Sequence, residues 1–249
     1  ENLFVLDLAN NHQGLLSHGK SIINSATKVV KKYQINAAIK FQMRDLDTFI
    51  HPNHKQNSSN KMVNRFSTTR LSLDDFANLK ELVKKNKLQT MCTPFDEKSL
   101  KQVLDLNFDI IKIASCSALD WPLLEEVSTS GKPIIISTGG IKIDDIDLIV
   151  SFFEHKSAEF SLMHCVSIYP TPAKDCNLNQ IQILKERYPD LSIGWSTHES
   201  PDELFAVGTA FAKGATMFER HIGLETSKIK LNDYSSKVFN QRDIWYFRN

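Results

Sequence analysis

His198 and His221 each follow a short apolar run, Leu191 to Trp195 and Ala215 to Phe218, late in the chain. Imidazole nitrogens ligate divalent metals, and two of them at the ends of neighbouring strands can share one ion; taken singly, each reads more simply as a satisfied core histidine. Lys40 in Ala-Ala-Ile-Lys-Phe-Gln and Lys112 in Ile-Ile-Lys-Ile-Ala-Ser interrupt apolar runs of their own. A bare ammonium is costly to desolvate there, so each needs an anion. A core carboxylate would satisfy one lysine. Two of them, near Thr93, Ser115, Ser137 and the Gly139-Gly140 turn, point instead to a bound phosphate or carboxylate. His164 closes another apolar run, and polar residues gathered at so many strand ends imply a site.

Those residues need a scaffold that brings many strand ends to one rim. Apolar runs of four to six residues alternate with segments of helical periodicity, the pattern of a parallel sheet covered by helices. Strands are expected over 3–8, 36–42, 88–92, 109–113, 133–137, 160–164, 191–195 and 215–219. Eight such units predict an α/β chain folded as a (β/α)8 TIM barrel, with residues 3–220 as its body and the site at the carboxyl ends of the strands. Ser17 is expected to cap a helix that buries Ile22, Ala26, Val29 and Tyr33, and Asp120 with Pro122 opens another. Ile146, Ile149, Val150 and Phe153 share one stripe, as do Leu204, Val207 and Phe211 behind Ser200-Pro201. The connection 44–72, rich in Asn, Lys, Ser and Thr, is long for a βα loop; it either lies over the active site or is a solvated insertion. A last helix is placed around Asp243 to Phe247.

With 249 residues, 41% of them hydrophobic and 24% charged, the chain can bury one large core, so residues 1–249 read as one barrel domain. Thirty Lys and Arg against 29 Asp and Glu leave a formal charge of +1. No basic field is present to hold nucleic acid or an acidic membrane, and small molecules are the expected partners. No apolar stretch approaches the roughly 20 residues that cross a bilayer, and the first residues lack the zones of a signal peptide. Cys92, Cys116, Cys165 and Cys176 form no CxxC pair and read as reduced thiols of a cytoplasmic enzyme.

A series of segments, in order along the chain, resembles the sialic acid synthases. They are Asn11-His12-Gln13-Gly14, Lys40-Phe41-Gln42, Thr93-Pro94-Phe95-Asp96, Lys112-Ile113-Ala114-Ser115, Ser137-Thr138-Gly139-Gly140, His164-Cys165 with Tyr169-Pro170, Gly194 to His198, and Glu219-Arg220-His221. The resemblance implies an enzyme that condenses phosphoenolpyruvate with an aldose on a barrel, using a divalent metal, typically manganese, held by His198 and His221. It places Lys40, Gln42, Thr93, Lys112, Ser115, Ser137, Ser167 and Ser196 against the substrates. Asp7, Lys112, Tyr169 and Asp233 would be catalytic, and the barrels would pair as a homodimer.

Three departures separate this sequence from the family. Asp7 and Ala9 stand where the family has glutamate and glycine, Cys116-Ser117 where it has glycine and glutamate, and Ser167 where it has asparagine. In the family these positions face the sugar and the reacting centre, so the acceptor is expected to differ from plain N-acetylmannosamine. The family's C-terminal antifreeze-like domain is not within these 249 residues. Two other readings stay open on the same residues: a metal-dependent aldolase or isomerase, and a non-catalytic ligand-binding barrel.

Overall fold

The computed structural model describes residues 2–55, 59–203 and 205–231, with the backbone of 236–237. Eight strands run β1 (Leu3–Asp7), β2 (Ala37–Met43), β3 (Gln89–Pro94), β4 (Ile110–Ile113), β5 (Ile134–Ser137), β6 (Phe160–Cys165), β7 (Ile193–Ser196) and β8 (Met217–Gly223). Each pairs in parallel with the next, and β1 pairs also with β8, which closes the sheet into a (β/α)8 barrel. A two-residue strand, β9 (Ser236–Lys237), pairs in parallel with the last two residues of β8, Ile222 and Gly223. Every expected strand is present, with ends displaced by a few residues.

Side chains alternate across a strand, so every second residue enters the barrel. Val5, Ala38, Met91, Ile110, Ile135, Met163 and Met217 meet there as a small apolar cluster separate from the main core. Two residues further along the same strands stand Asp7, Lys40, Thr93, Lys112, Ser137, Cys165 and Glu219, all buried. The barrel interior therefore changes from apolar to polar within one step toward the carboxyl rim. The opposite parity, including Leu6, Ile39, Phe41, Ile111, Leu162, Trp195 and Phe218, packs outward into the large core beneath the helices.

The covering helices are α1 (Leu16–Tyr33), α2 (Leu46–Phe49), α3 (Lys61–Thr68), α4 (Leu73–Lys85), α5 (Glu97–Asp105), α6 (Trp121–Ser128), α7 (Ile143–His155), α8 (Asn179–Arg187) and α9 (Phe205–Ala212). Asp120 accepts the Leu123 N–H at the start of α6 with Pro122 in the first turn, as its sequence predicts, and Ile146, Ile149, Val150 and Phe153 are the buried stripe of α7. Ser72 and Asp96 close capping boxes on α4 and α5.

Expectations on two helices are corrected. Ser17 lies inside the first turn of α1 behind Leu15, with no capping hydrogen bond from a side chain. The buried stripe of α1 runs through Ile22, Ile23, Ala26 and Val30, because Ile23 rotates it away from Val29 and Tyr33, which are only half-buried. On α9 the buried face is Ala206, Val207 and Ala210, and Phe211 flanks it in solvent. Leu204, Asp233 and the segment Asp243 to Phe247 lie outside the described residues. Among the described residues, no helix is long and apolar enough to cross a membrane.

Candidate functional site

A cavity of about 1000 Å³ opens at the carboxyl rim of the barrel. Asp7, Lys40, Gln42, Thr93, Lys112, Ser115, Ser137, Ser167, Tyr169, Ser196, His198 and His221 all line it. These are the expected site residues apart from Asp233. Ser117 is buried and does not reach the wall, where its neighbour Cys116 stands instead. His164 is also excluded. It lies on the Leu162 side of β6, so its ring stacks on Trp195 at 5.0 Å between centroids while Nε2 meets the Cys176 carbonyl at 3.0 Å.

The floor is a compact group of opposed charges. Lys40 Nζ lies 3.0 Å from Asp7 Oδ2 and 3.1 Å from Glu219 Oε1, and Lys112 Nζ lies 3.9 Å from Glu219 Oε2. The core-carboxylate alternative considered for Lys40 is thus realised. Burial acts to neutralise the Lys40 ammonium, but Asp7 and Glu219 outweigh it and raise its pKa. Burial likewise works against the Glu219 carboxylate, yet Lys112 and Lys40 together bring it down to about 2. Lys112 is less well compensated. Burial lowers its pKa despite Glu219, and its contacts are the Ser137 hydroxyl and the Ile113 carbonyl at 3.1 Å. Ser196 Oγ donates to Glu219 Oε1 at 3.0 Å, whereas the buried Thr93 hydroxyl has no hydrogen-bond partner among the described residues. A buried orphan hydroxyl beside an under-compensated lysine is the signature of a polar ligand.

Above the floor, the His198 and His221 rings stand 5.5 Å apart between centroids at an angle of 36°. His198 Nδ1–H donates to the Val166 carbonyl at 3.2 Å, and His221 Nδ1 lies 3.3 Å from Asp7 Oδ2. Metal-binding histidines are commonly oriented in this way, through the ring nitrogen that does not carry the ion. Burial, then the neighbouring His221, lowers the His198 pKa to about 3, and burial also lowers that of His221. Both are neutral imidazoles near pH 7, the form that ligates. Among the described residues no cluster of three metal-binding side chains forms, so such an ion would complete its shell with water or substrate. The Tyr169 ring lies 4.2 Å from that of His198.

Two backbone positions hold this geometry. A Cβ on Gly139 would come within 2.8 Å of Ser167 Oγ and 2.9 Å of Ser115 Oγ, so glycine lets the β5 loop pass between the two hydroxyls. Ala9 adopts φ 42°, in the left-handed region, and its N–H donates to Asp7 Oδ1 at 2.9 Å. That φ accounts for the glycine in the family pattern.

The connection 44–72 proves to be part of the site. Phe49 of α2 and Lys61, Met62, Asn64, Arg65, Phe66 and Thr68 of α3 form one wall. Glu219, Arg44 and Arg65 are charged residues of the lining outside the expected set. Glu219 was open to an argument related to that for the lysines, a charge that directly follows the apolar pair Met217-Phe218 and shares their strand. The arginines carried no such signal, since a cation in a polar loop looks solvated.

The NeuB family profile matches residues 28–238. N-acetylneuraminate-9-phosphate synthase of Drosophila melanogaster is 32% identical over 232 residues, covering 90% of this chain and 60% of that protein. Among solved structures, spore coat polysaccharide biosynthesis protein E of Chromobacterium violaceum ATCC 12472 aligns with TM-score 0.96 at 40% identity, over 100% of this chain and 74% of that one. N-acetylneuraminic acid synthetase of Leptospira borgpetersenii serovar Hardjo-bovis aligns with TM-score 0.84 at 30% identity, over 99% and 82%. The chain spans about 60% of the length of the first curated relatives it matches.

Proposed function

The chain belongs to the NeuB family, and on that premise we propose that its barrel joins phosphoenolpyruvate to an aldose, releasing phosphate and a 2-keto-3-deoxy sugar acid. The observation that carries this reading is the polar layer inside the barrel, where Lys112, Ser137 and the orphan Thr93 hydroxyl lie below His198 and His221. Lys112 takes the anionic groups of phosphoenolpyruvate, with Thr93, Ser115, Ser137 and Ser167 donating to their oxygens and Ser196 lining the same pocket while its hydroxyl bonds Glu219. Lys40 contributes field from its place between Asp7 and Glu219. The enol C3 attacks the aldehyde carbon, whose oxygen becomes a hydroxyl. Water then adds at C2 and the phosphate leaves, restoring a carbonyl there.

Glu219, held near 2 by the two lysines, stays ionised and serves as their counter-ion. Asp7 is the carboxylate placed for proton transfer, since its Oδ2 also accepts from Gln42 Nε2 at 3.0 Å and borders His221. Tyr169 closes the acceptor side against His198. His198 and His221 fit a divalent ion, manganese by family resemblance, and that ion would supply Lewis-acid polarisation of the aldehyde oxygen. Asp233 remains the proposed acidic residue beyond β8. The unpaired Cys92, Cys116, Cys165 and Cys176 suit a reducing cytoplasm, and a homodimer is the proposed assembly.

Calorimetric titration with phosphoenolpyruvate tests the substrate assignment. Lys112→Met is expected to weaken binding by about 2–5 kcal/mol, because the ligand's charge then enters the site without its partner. Unchanged affinity would place Lys112 among purely structural residues.

A further inference from the structure

Arg44 and Arg65 face the cavity from the β2 connection, and the reaction proposed above assigns neither a role. Arg44 is stacked on Phe95 and Phe66, its guanidinium carbon 3.7 and 4.3 Å from the ring centroids. Its Nη2 donates to Gln42 Oε1 at 2.9 Å, while its buried Nε has no hydrogen-bond partner among the described residues. Arg65 Nη2 reaches Asn11 Oδ1 at 3.4 Å. Among the described residues, neither guanidinium has a carboxylate at ion-pair distance. This contrasts with the floor, where each lysine has a carboxylate close by.

Burial lowers the Arg44 pKa to about 10, outweighing the favourable fields of Asp7 and Asp96, neither of which lies at ion-pair distance. Stacking on aromatic faces offsets part of that cost and fixes the guanidinium plane. A planar fork held in this way suits an oxyanion. The place is also right for the far end of an acceptor. Contacts of 2.9, 3.0 and 3.3 Å lead from Arg44 through Gln42 and Asp7 to His221, so a sugar whose aldehyde lies by the histidines extends toward the arginines.

We propose that Arg44 and Arg65 form an oxyanion subsite for the acceptor, so that this enzyme takes an aldose with a phosphate or carboxylate on the carbon farthest from its aldehyde. The inference rests on the condensing reading of the cavity, and it turns the expectation that the acceptor differs from plain N-acetylmannosamine into a specific chemical class.

The test uses alditols, which lack the aldehyde and are not consumed. A 2-acetamido-2-deoxyhexitol, its 6-phosphate and its C6 carboxylate analogue are titrated calorimetrically into the protein with manganese and phosphoenolpyruvate present. At least one anionic alditol is expected to bind about tenfold or more tighter than the neutral one, and whichever gains more identifies the phosphate or the carboxylate as the group read. Arg65→Gln should remove that margin while leaving the separate phosphoenolpyruvate titration within about twofold, which also shows that the variant is folded. Arg44→Lys, which keeps the charge but not the fork, should lose part of it. Neutral alditol binding as tightly as both anions, no alditol binding at all, or a margin unchanged in both variants overturns the subsite. Failure of phosphoenolpyruvate to bind, with the Arg65-dependent margin intact, would instead overturn the condensing reading and leave the oxyanion subsite standing.

Discussion

His198 and His221 are adjacent in space because β7 and β8 are neighbours and both residues continue the inward parity of their strands past Ser196 and Glu219. His198→Ala or His221→Ala should therefore abolish phosphate release and weaken manganese binding, with thermal unfolding little changed. Manganese affinity equal to wild type in both variants would remove them as ligands. His12 makes a different prediction. It is buried, its Nδ1 accepts the Gly14 N–H at 3.0 Å, and burial, then His18 and Arg65, lower its pKa to about 4. Below the ordinary value near 6.5 the unfolded chain takes up a proton that the folded protein refuses. This contribution to stability is thus complete above 6.5 and is lost as pH falls toward 4, by about 3 kcal/mol at most. His12→Asn offers the same N–H an acceptor that does not titrate. Between pH 7.5 and 4.5 it should lose about 2 kcal/mol less than wild type in urea unfolding; equal losses would show that His12 does not set the acid limb.

At the scale of the element, the strands were legible as short, largely apolar runs, and in β2 and β4 a single lysine stands out of place within such a run. Lys40 and Lys112 could be recognised in this way, and parity alone would have removed His164, which shares a face with Leu162 and not with Cys165. What stayed hidden depends on residues distant in sequence. Arg44 acquires its meaning from Phe95 after β3 and Phe66 on α3, contacts that no local pattern encodes. The inward face of α1 was misplaced by one apolar neighbour, Ile23, since a helix buries the centre of its stripe and not each apolar residue. Strand packing gives its own test at Gly194, where a Cβ would lie 2.9 Å from both Met163 Cε and Met217 Cβ. Gly194→Ala should cost about 1–3 kcal/mol through overpacking of the barrel centre, read as a lower denaturant midpoint with an unchanged slope. An unaltered midpoint would mean that the interior is looser there than its contacts imply.

For the whole molecule, the barrel supplies an apolar centre, a polar layer above it and a wall built from the β2 connection, and on the proposed reading two substrates meet between lysine floor and arginine wall. On that reading, the two substrates react with each other. The most direct measurement follows inorganic phosphate and product mass when phosphoenolpyruvate and manganese are supplied with a panel of 2-acetamido-2-deoxyhexoses and their 6-phosphates. Phosphate should be released only when an aldose is present, one for each aldose consumed, with a product whose mass is that of the aldose plus pyruvic acid. Phosphate released at the same rate without any aldose, or an aldose cleaved or isomerised while phosphoenolpyruvate is untouched, would contradict the condensing reading.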